Sequence, residues 1–138
     1  MNNDPFGNLT NSNSALSTVK DLANNGNLSQ CQPGLVRILR HKGSWRLREE
    51  VLERLGEIKT PSNELLDQLI TILDDDNIYY DARIMAGNAL IQLFKNAGDQ
   101  IDDDTHGATQ KVIKKLKSMP QPPFFDKALD RFHLELDL

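Results

Sequence analysis

Apolar residues recur along this chain at steps of three and four, the spacing of a helix with one buried face. Residues 1–13 lack that pattern; they are polar, rich in Asn and poor in large apolar side chains, which predicts a flexible arm. A single folded domain is expected over residues 14–138. Leu16, Val19, Leu22 and Ala23 mark a first helix that Asn24-Asn25-Gly26 stops. Pro33 suits a first helical position, Leu35, Val36, Ile38 and Leu39 form the next stripe, and Gly43 ends it. Ser44 caps a helix from about Trp45 to Ile58 that buries Leu47, Val51, Leu55 and Ile58. Thr60-Pro61 opens a fourth helix, lined by Leu65, Leu66, Leu69, Ile72 and Leu73, which ends at the acidic turn Asp74 to Asn77. A fifth runs from about Tyr79 to Phe94. Thr105 is the expected cap of a sixth, and Pro120, Pro122 and Pro123 separate it from a seventh that starts near Phe124. No stretch holds the two-residue period of a strand, so the predicted class is all-α, with seven helices.

Two of these segments are versions of one another. Leu35 on Leu69 and Leu39 on Leu73 need a step of 34 residues, whereas Arg48 on Arg83, Val51 on Ala86, Leu55 on Leu90 and Ile58 on Leu93 need 35. The extra residue falls in the turn. A step of this size marks stacked helical hairpins that bury their stripes only against one another.

The run Arg48-Glu49-Glu50-Val51-Leu52-Glu53-Arg54-Leu55-Gly56-Glu57-Ile58 resembles the second helix of a HEAT repeat, of the kind also found in phycobilin-lyase-like proteins. Asp81-Ala82-Arg83 through Ala86, Ala89 and Leu90 is similar to the same element in a second copy. The resemblance covers about residues 33–94 and continues as a degenerate third unit. It implies a short right-handed α-solenoid of about three hairpins behind an N-terminal capping helix. Asp74 stands where the family often has a turn aspartate, nine residues before Arg83; its equivalent is missing ahead of Arg48. Arg48 and Arg83 have two open roles. Their guanidinium groups either bond turn carbonyls or a neighbouring carboxylate such as Asp74, Asp75 or Asp81, or they capture an anion.

Charge changes the picture by its distribution. The net charge of −4 divides into −1 over residues 1–32, +3 over 33–63, −8 over 64–104 and +2 over 105–138. A nucleic-acid-binding solenoid needs a continuous basic stripe, and the acidic middle interrupts one. Arg37, Arg40, His41, Lys42, Arg46 and Arg48 nevertheless crowd around Trp45 without an acid. That basic patch reads either as a solvated helix end or as a site for phosphate groups or an acidic protein. The lone Cys31 and the absence of an apolar run of about 18 residues fit a cytoplasmic protein without a membrane span. The triplets beginning at Asn8 and Asn27 match the glycosylation pattern only by chance if no secretory signal exists.

At 100° per residue, the fifth helix is apolar on both sides: Ala82, Ala86, Ala89, Leu90 and Leu93 on one, Tyr80, Ile84 and Ile91 on the other beside Gly87 and Asn88. Such a helix is sandwiched, either by flanking helices or between its domain and a partner. Under the second reading, ridges of the second helices bind a protein through Trp45, Glu49, Glu53, Tyr80, Ile84, Asn88 and Ile91, with Trp45 either an anchor or a plug for its turn.

Catalytic and metal signals are lacking. Asp102, Asp104, His106 and Gly107 imitate a calcium loop, but Ile113 falls where its last glutamate belongs. His41, His106, His133 and Cys31 have no partners at ligand spacing. No phosphate loop or nucleophile elbow occurs, so no catalytic residue, cofactor or metal is assigned. The expected function is a HEAT-like adaptor or scaffold that binds a protein and has apolar ends suited to a homo-oligomer. The alternatives are a nucleic-acid-binding repeat protein that would use the basic patch with Lys111, Lys114, Lys115 and Lys117, and a lyase-like or chaperone subunit for a bilin-bearing protein.

Overall fold

Each apolar stripe becomes the buried face of a helix in the computed structural model, which describes residues 3–136. The class is all-α, with seven α-helices and single 3₁₀ turns at three places among these residues. They are α1 (Ser12–Asn24), α2 (Gln32–Arg40), α3 (Trp45–Arg54), α4 (Asn63–Asp74), α5 (Tyr80–Ala97), α6 (Asp103–Lys117) and α7 (Pro123–Glu135). Local chemistry fixes most of the starts. The side chains of Ser44 and Ser62 accept from the backbone N–H groups of Leu47 and Leu65, at 3.3 and 3.2 Å. Pro33 and Pro123 occupy first-turn positions that need no N–H bond. At α6 the cap is Asp102, whose Oδ1 accepts from Thr105 N–H at 2.8 Å. Thr105, expected to cap, lies inside the helix and is buried, because the helix starts two residues earlier, at Asp103, and Thr105 supplies the N–H that the Asp102 cap accepts.

The helices pack in two layers. One contains α2, α4 and α6, each touching the next; the other contains α1, α3, α5 and α7 in the same relation. Within each pair α2–α3, α4–α5 and α6–α7, the consecutive helices also touch. Leu35, Ile38 and Leu39 meet Leu65, Leu69 and Ile72 in one continuous apolar core with Val51, Leu55, Ala86, Leu90 and Leu93. The twin segments are thus side-by-side helix pairs with a common aliphatic seam.

Residues 3–11, expected to be a flexible arm, lie against α2 instead. Phe6 and Leu9 are buried, and the carbonyl of Asn3 accepts from Gly34 N–H at 3.2 Å. Arg37 grips the Asp4 carboxylate with Nε and Nη2 at 2.5 and 2.8 Å and donates from Nη2 to the Gly7 carbonyl at 2.8 Å. This bidentate partner holds the Asp4 carboxyl below its ordinary range. Gly34 admits the Phe6 ring, since a Cβ there would lie 2.6 Å from it. Two isolated apolar residues make no period, so pattern alone did not reveal the contact. Residues 1 and 2 of the expected arm, and 137 and 138 of its domain, lie outside the described residues.

The third pair closes over α5 at Gly87, where an added Cβ would run into the Phe132 ring of α7. Overpacking at such a contact costs about 1–3 kcal/mol. Gly87→Val is therefore expected to lower stability by that amount in urea unfolding followed by helical circular dichroism, and an unchanged midpoint would mean that α7 is free to shift.

Candidate functional site

The turns of the first two pairs stand beside each other and leave a cleft of about 460 Å³. Its first wall comes from the end of α2 and the start of α3, with Arg40, Lys42, Trp45 and Arg48. The opposite wall comes from α4 and its turn, with Gln68, Thr71, Ile72, Asp75, Asn77 and Ile78. Three cations therefore face one carboxylate. That carboxylate is engaged, since Asp75 Oδ1 accepts from Asn77 N–H at 2.9 Å and folds the turn on itself. Arg40 Nε donates to Gln68 Oε1 at 2.9 Å across the cleft.

Arg48 is the unusual group. Only 5% of it is exposed, and neither Nε nor Nη2 has a hydrogen-bond partner among the described residues. The ring of Trp45 covers the guanidinium, with Cζ 4.1 Å from the ring centroid. Burial lowers the Arg48 pKa from its ordinary value, and the Tyr79 charge interaction opposes this. The matching residue of the next pair is placed otherwise. Arg83 is also buried, but its Nε donates to the Leu73 carbonyl at 2.9 Å, and its guanidinium faces the Phe125 and Tyr80 rings at 4.6 and 5.3 Å. Burial lowers its pKa, while Tyr80, Asp76, Asp74 and Asp75 favour its charge. Two arginines in equivalent positions thus differ in partners, and their turns differ in charge: residues 75–79 include two acids, whereas residues 41–44 include none.

Of the two internal partners expected for Arg83, a carbonyl or an aspartate, only the carbonyl bonds it. A backbone carbonyl takes the Nε donor, and Asp74 pairs with Lys115 of α6. Trp45 stands edge to face with Tyr79 at 4.9 Å, and the Tyr79 hydroxyl donates to the Glu49 carboxylate. Burial, then that bond and the charges of Glu49 and Asp81, push the Tyr79 phenol pKa up. The expected ridge divides. On α3, Trp45 and Glu49 are half-buried and Glu53 is exposed. Glu53 and Asn88 line a shallow groove of about 150 Å³ between α3 and α5 with Gly56, Met85 and Gln92. On α5, Ile91 is 3% exposed and belongs to the core, Ile84 is half-buried against that core, and Tyr80 packs on Phe124 and Phe125 at 5.4 and 4.8 Å. These three do not form an open face, because α7 lies against α5. Asn88 stays exposed and accepts from Arg131 Nη2 at 2.7 Å.

The basic patch is also split. Arg37 is committed to Asp4, Arg40 and Lys42 border the cleft, Arg46 is exposed and Arg48 is interior. On α6, Lys115 and Lys117 pair with Asp74 and Asp130. Tyr79, Gln68 and Asn77 were not among the site residues expected from the sequence. Tyr79 was legible in principle, since the step of 34 that aligns the first helices carries Trp45 onto it. Among the described residues, no cluster of three His, Cys, Asp or Glu side chains suits a metal, and no helix is long and apolar enough to cross a membrane. No protein-family model, curated protein or solved structure matches the chain.

The unequal arginines respond differently to removal. Arg83→Met leaves the buried Leu73 carbonyl without its donor and is expected to cost about 1–3 kcal/mol. Arg48→Met breaks no hydrogen bond and removes an unpaired interior charge, so its stability should stay within about 1 kcal/mol of the parent. Urea midpoints of the two variants measured side by side check this, and equal losses would contradict the assignment.

Proposed function

We propose that this chain is a small HEAT-like adaptor that binds a protein partner along the exposed line of α3. The packing of α2 with α4 with α6, and of α3 with α5 with α7, supports reading the three pairs as a short solenoid of the HEAT kind. The observation that carries the functional reading is the stripe Trp45, Glu49, Glu53, which faces the α3–α5 groove at one end and the turn cleft at the other. Aromatic groups at the head of an accessible stripe are frequent anchors of association, and here Trp45 and Tyr79 brace each other edge to face. Such a protein would work by presenting a surface, with no reaction at its own side chains, and a cytoplasmic setting suits the free Cys31 thiol.

The nucleic-acid alternative draws less support from this arrangement, because the cations it would need are dispersed or paired.

A double variant, Trp45→Ala with Glu53→Arg, is expected to reduce capture of the partner from native extract at least ten-fold in quantitative mass spectrometry, with helical circular dichroism unchanged. Capture equal to the parent's would overturn the α3 stripe as the docking line.

A further inference from the structure

Arg48, which lines the turn cleft, keeps guanidinium donors that no described residue uses. Arg48 is 95% buried by residue, and its Nε and Nη2 lack any hydrogen-bond partner among the described residues. The same two atoms of Arg37 show what that edge is built to hold, since Nε and Nη2 there take the two oxygens of the Asp4 carboxylate at 2.5 and 2.8 Å. In the following pair the equivalent arginine is satisfied internally, by the Leu73 carbonyl and the charges of its acidic turn. The turn before Arg48 supplies Lys42 instead, and Arg40 stands beside it on the rim. One buried donor edge with two further cations matches several carboxylates in succession better than a single one. A lone basic side chain from a partner would meet three like charges.

We propose that this cleft binds an acidic peptide segment of a partner protein, one of whose side-chain carboxylates takes the Nε and Nη2 donors of Arg48 while its neighbours lie along Lys42 and Arg40. This rests on the adaptor reading and gives its partner a chemistry. The Trp45 ring lies over the guanidinium carbon, and the two nitrogens are sealed from solvent, so the cleft must open for a carboxylate to reach them. Asp75 stands on the far wall, where its Oδ1 is held by Asn77 N–H.

Trp45 is the only tryptophan of the chain, so its emission reports the site directly. The test is a fluorescence titration of the full chain, at low salt, with N-acetylated and C-amidated pentaglutamate. A saturable change in emission is expected, with affinity at least ten-fold weaker in Arg48→Met and several-fold weaker in Arg48→Lys, which keeps the charge but loses the fork. Lys42→Gln, at an exposed position outside the core, should also weaken binding several-fold and keeps the test decisive if Arg48→Met fails to fold. Affinity within two-fold of the parent in both Arg48→Met and Lys42→Gln would overturn the site. So would a response to inorganic phosphate in the absence of one to the peptide. A parent chain that captures a protein yet shows no change with the peptide overturns the carboxylate site alone. A full response from a chain that captures no protein supports the site and overturns the adaptor reading.

Discussion

A charged guanidinium placed inside a helix pair must be answered by something, and the two central pairs of this protein answer it differently. In α4–α5 the answer is internal: a carbonyl at the end of the first helix bonds Arg83, two aromatic rings face it, and a run of aspartates supplies countercharge. That arrangement ties the last turn of α4 to the first turn of α5 and so sets how the two helices meet. In α2–α3 only the aromatic part persists, as Trp45 over Arg48. Desolvating an ion without a hydrogen-bond partner is costly, and fold stability alone gives little reason to keep such a group. The surrounding features make sense around this inequality: the cleft between the turns, the cations at its mouth, and the aromatic pair that shields it.

The helices and their pairing were legible because burial on one face leaves a period in the sequence, and Leu35 to Ile58 and Leu69 to Leu93 carry it twice. Phe6 and Leu9 carry no period and make their contacts through single side chains, one of them seated on Gly34. The Thr105 cap misled for a related reason, since Asp102, Asp103, Asp104 and Thr105 in succession all have the chemistry of a cap and only geometry chooses among them. The site was half legible. The line Trp45, Glu49, Glu53 follows from helical spacing, and the missing aspartate ahead of Arg48 was visible as a gap in the repeat. Its far wall comes from a turn and from α4, joined to Arg48 only through the fold. The reverse held for Tyr80 and Ile91: the helix was correctly seen to be apolar all round, but which neighbour covers its outer side depends on α7, whose sequence does not repeat the earlier pairs.

Charge acts locally here. Within the strongly acidic middle of the chain, Asp74 is taken by Lys115, Asp102 caps α6, and Asp75 closes its own turn. The basic segment is likewise spent unevenly, with Arg37 on Asp4 and Arg54 on Glu50. What remains at the cleft is a small local imbalance inside a chain of opposite net sign.

The reach of the helix contacts has its own consequence. No helix touches one more than two places further along the described chain. Cooperativity is therefore passed from neighbour to neighbour, and no long-range contact between helices fastens the first to the last. Amide protection should be deepest in α4 and α5, which are flanked on both sides, and should shallow outward through α2 and α7. The cleft lies on the N-terminal shoulder of that gradient, where a bound segment that clamps two turns together would stiffen the backbone most.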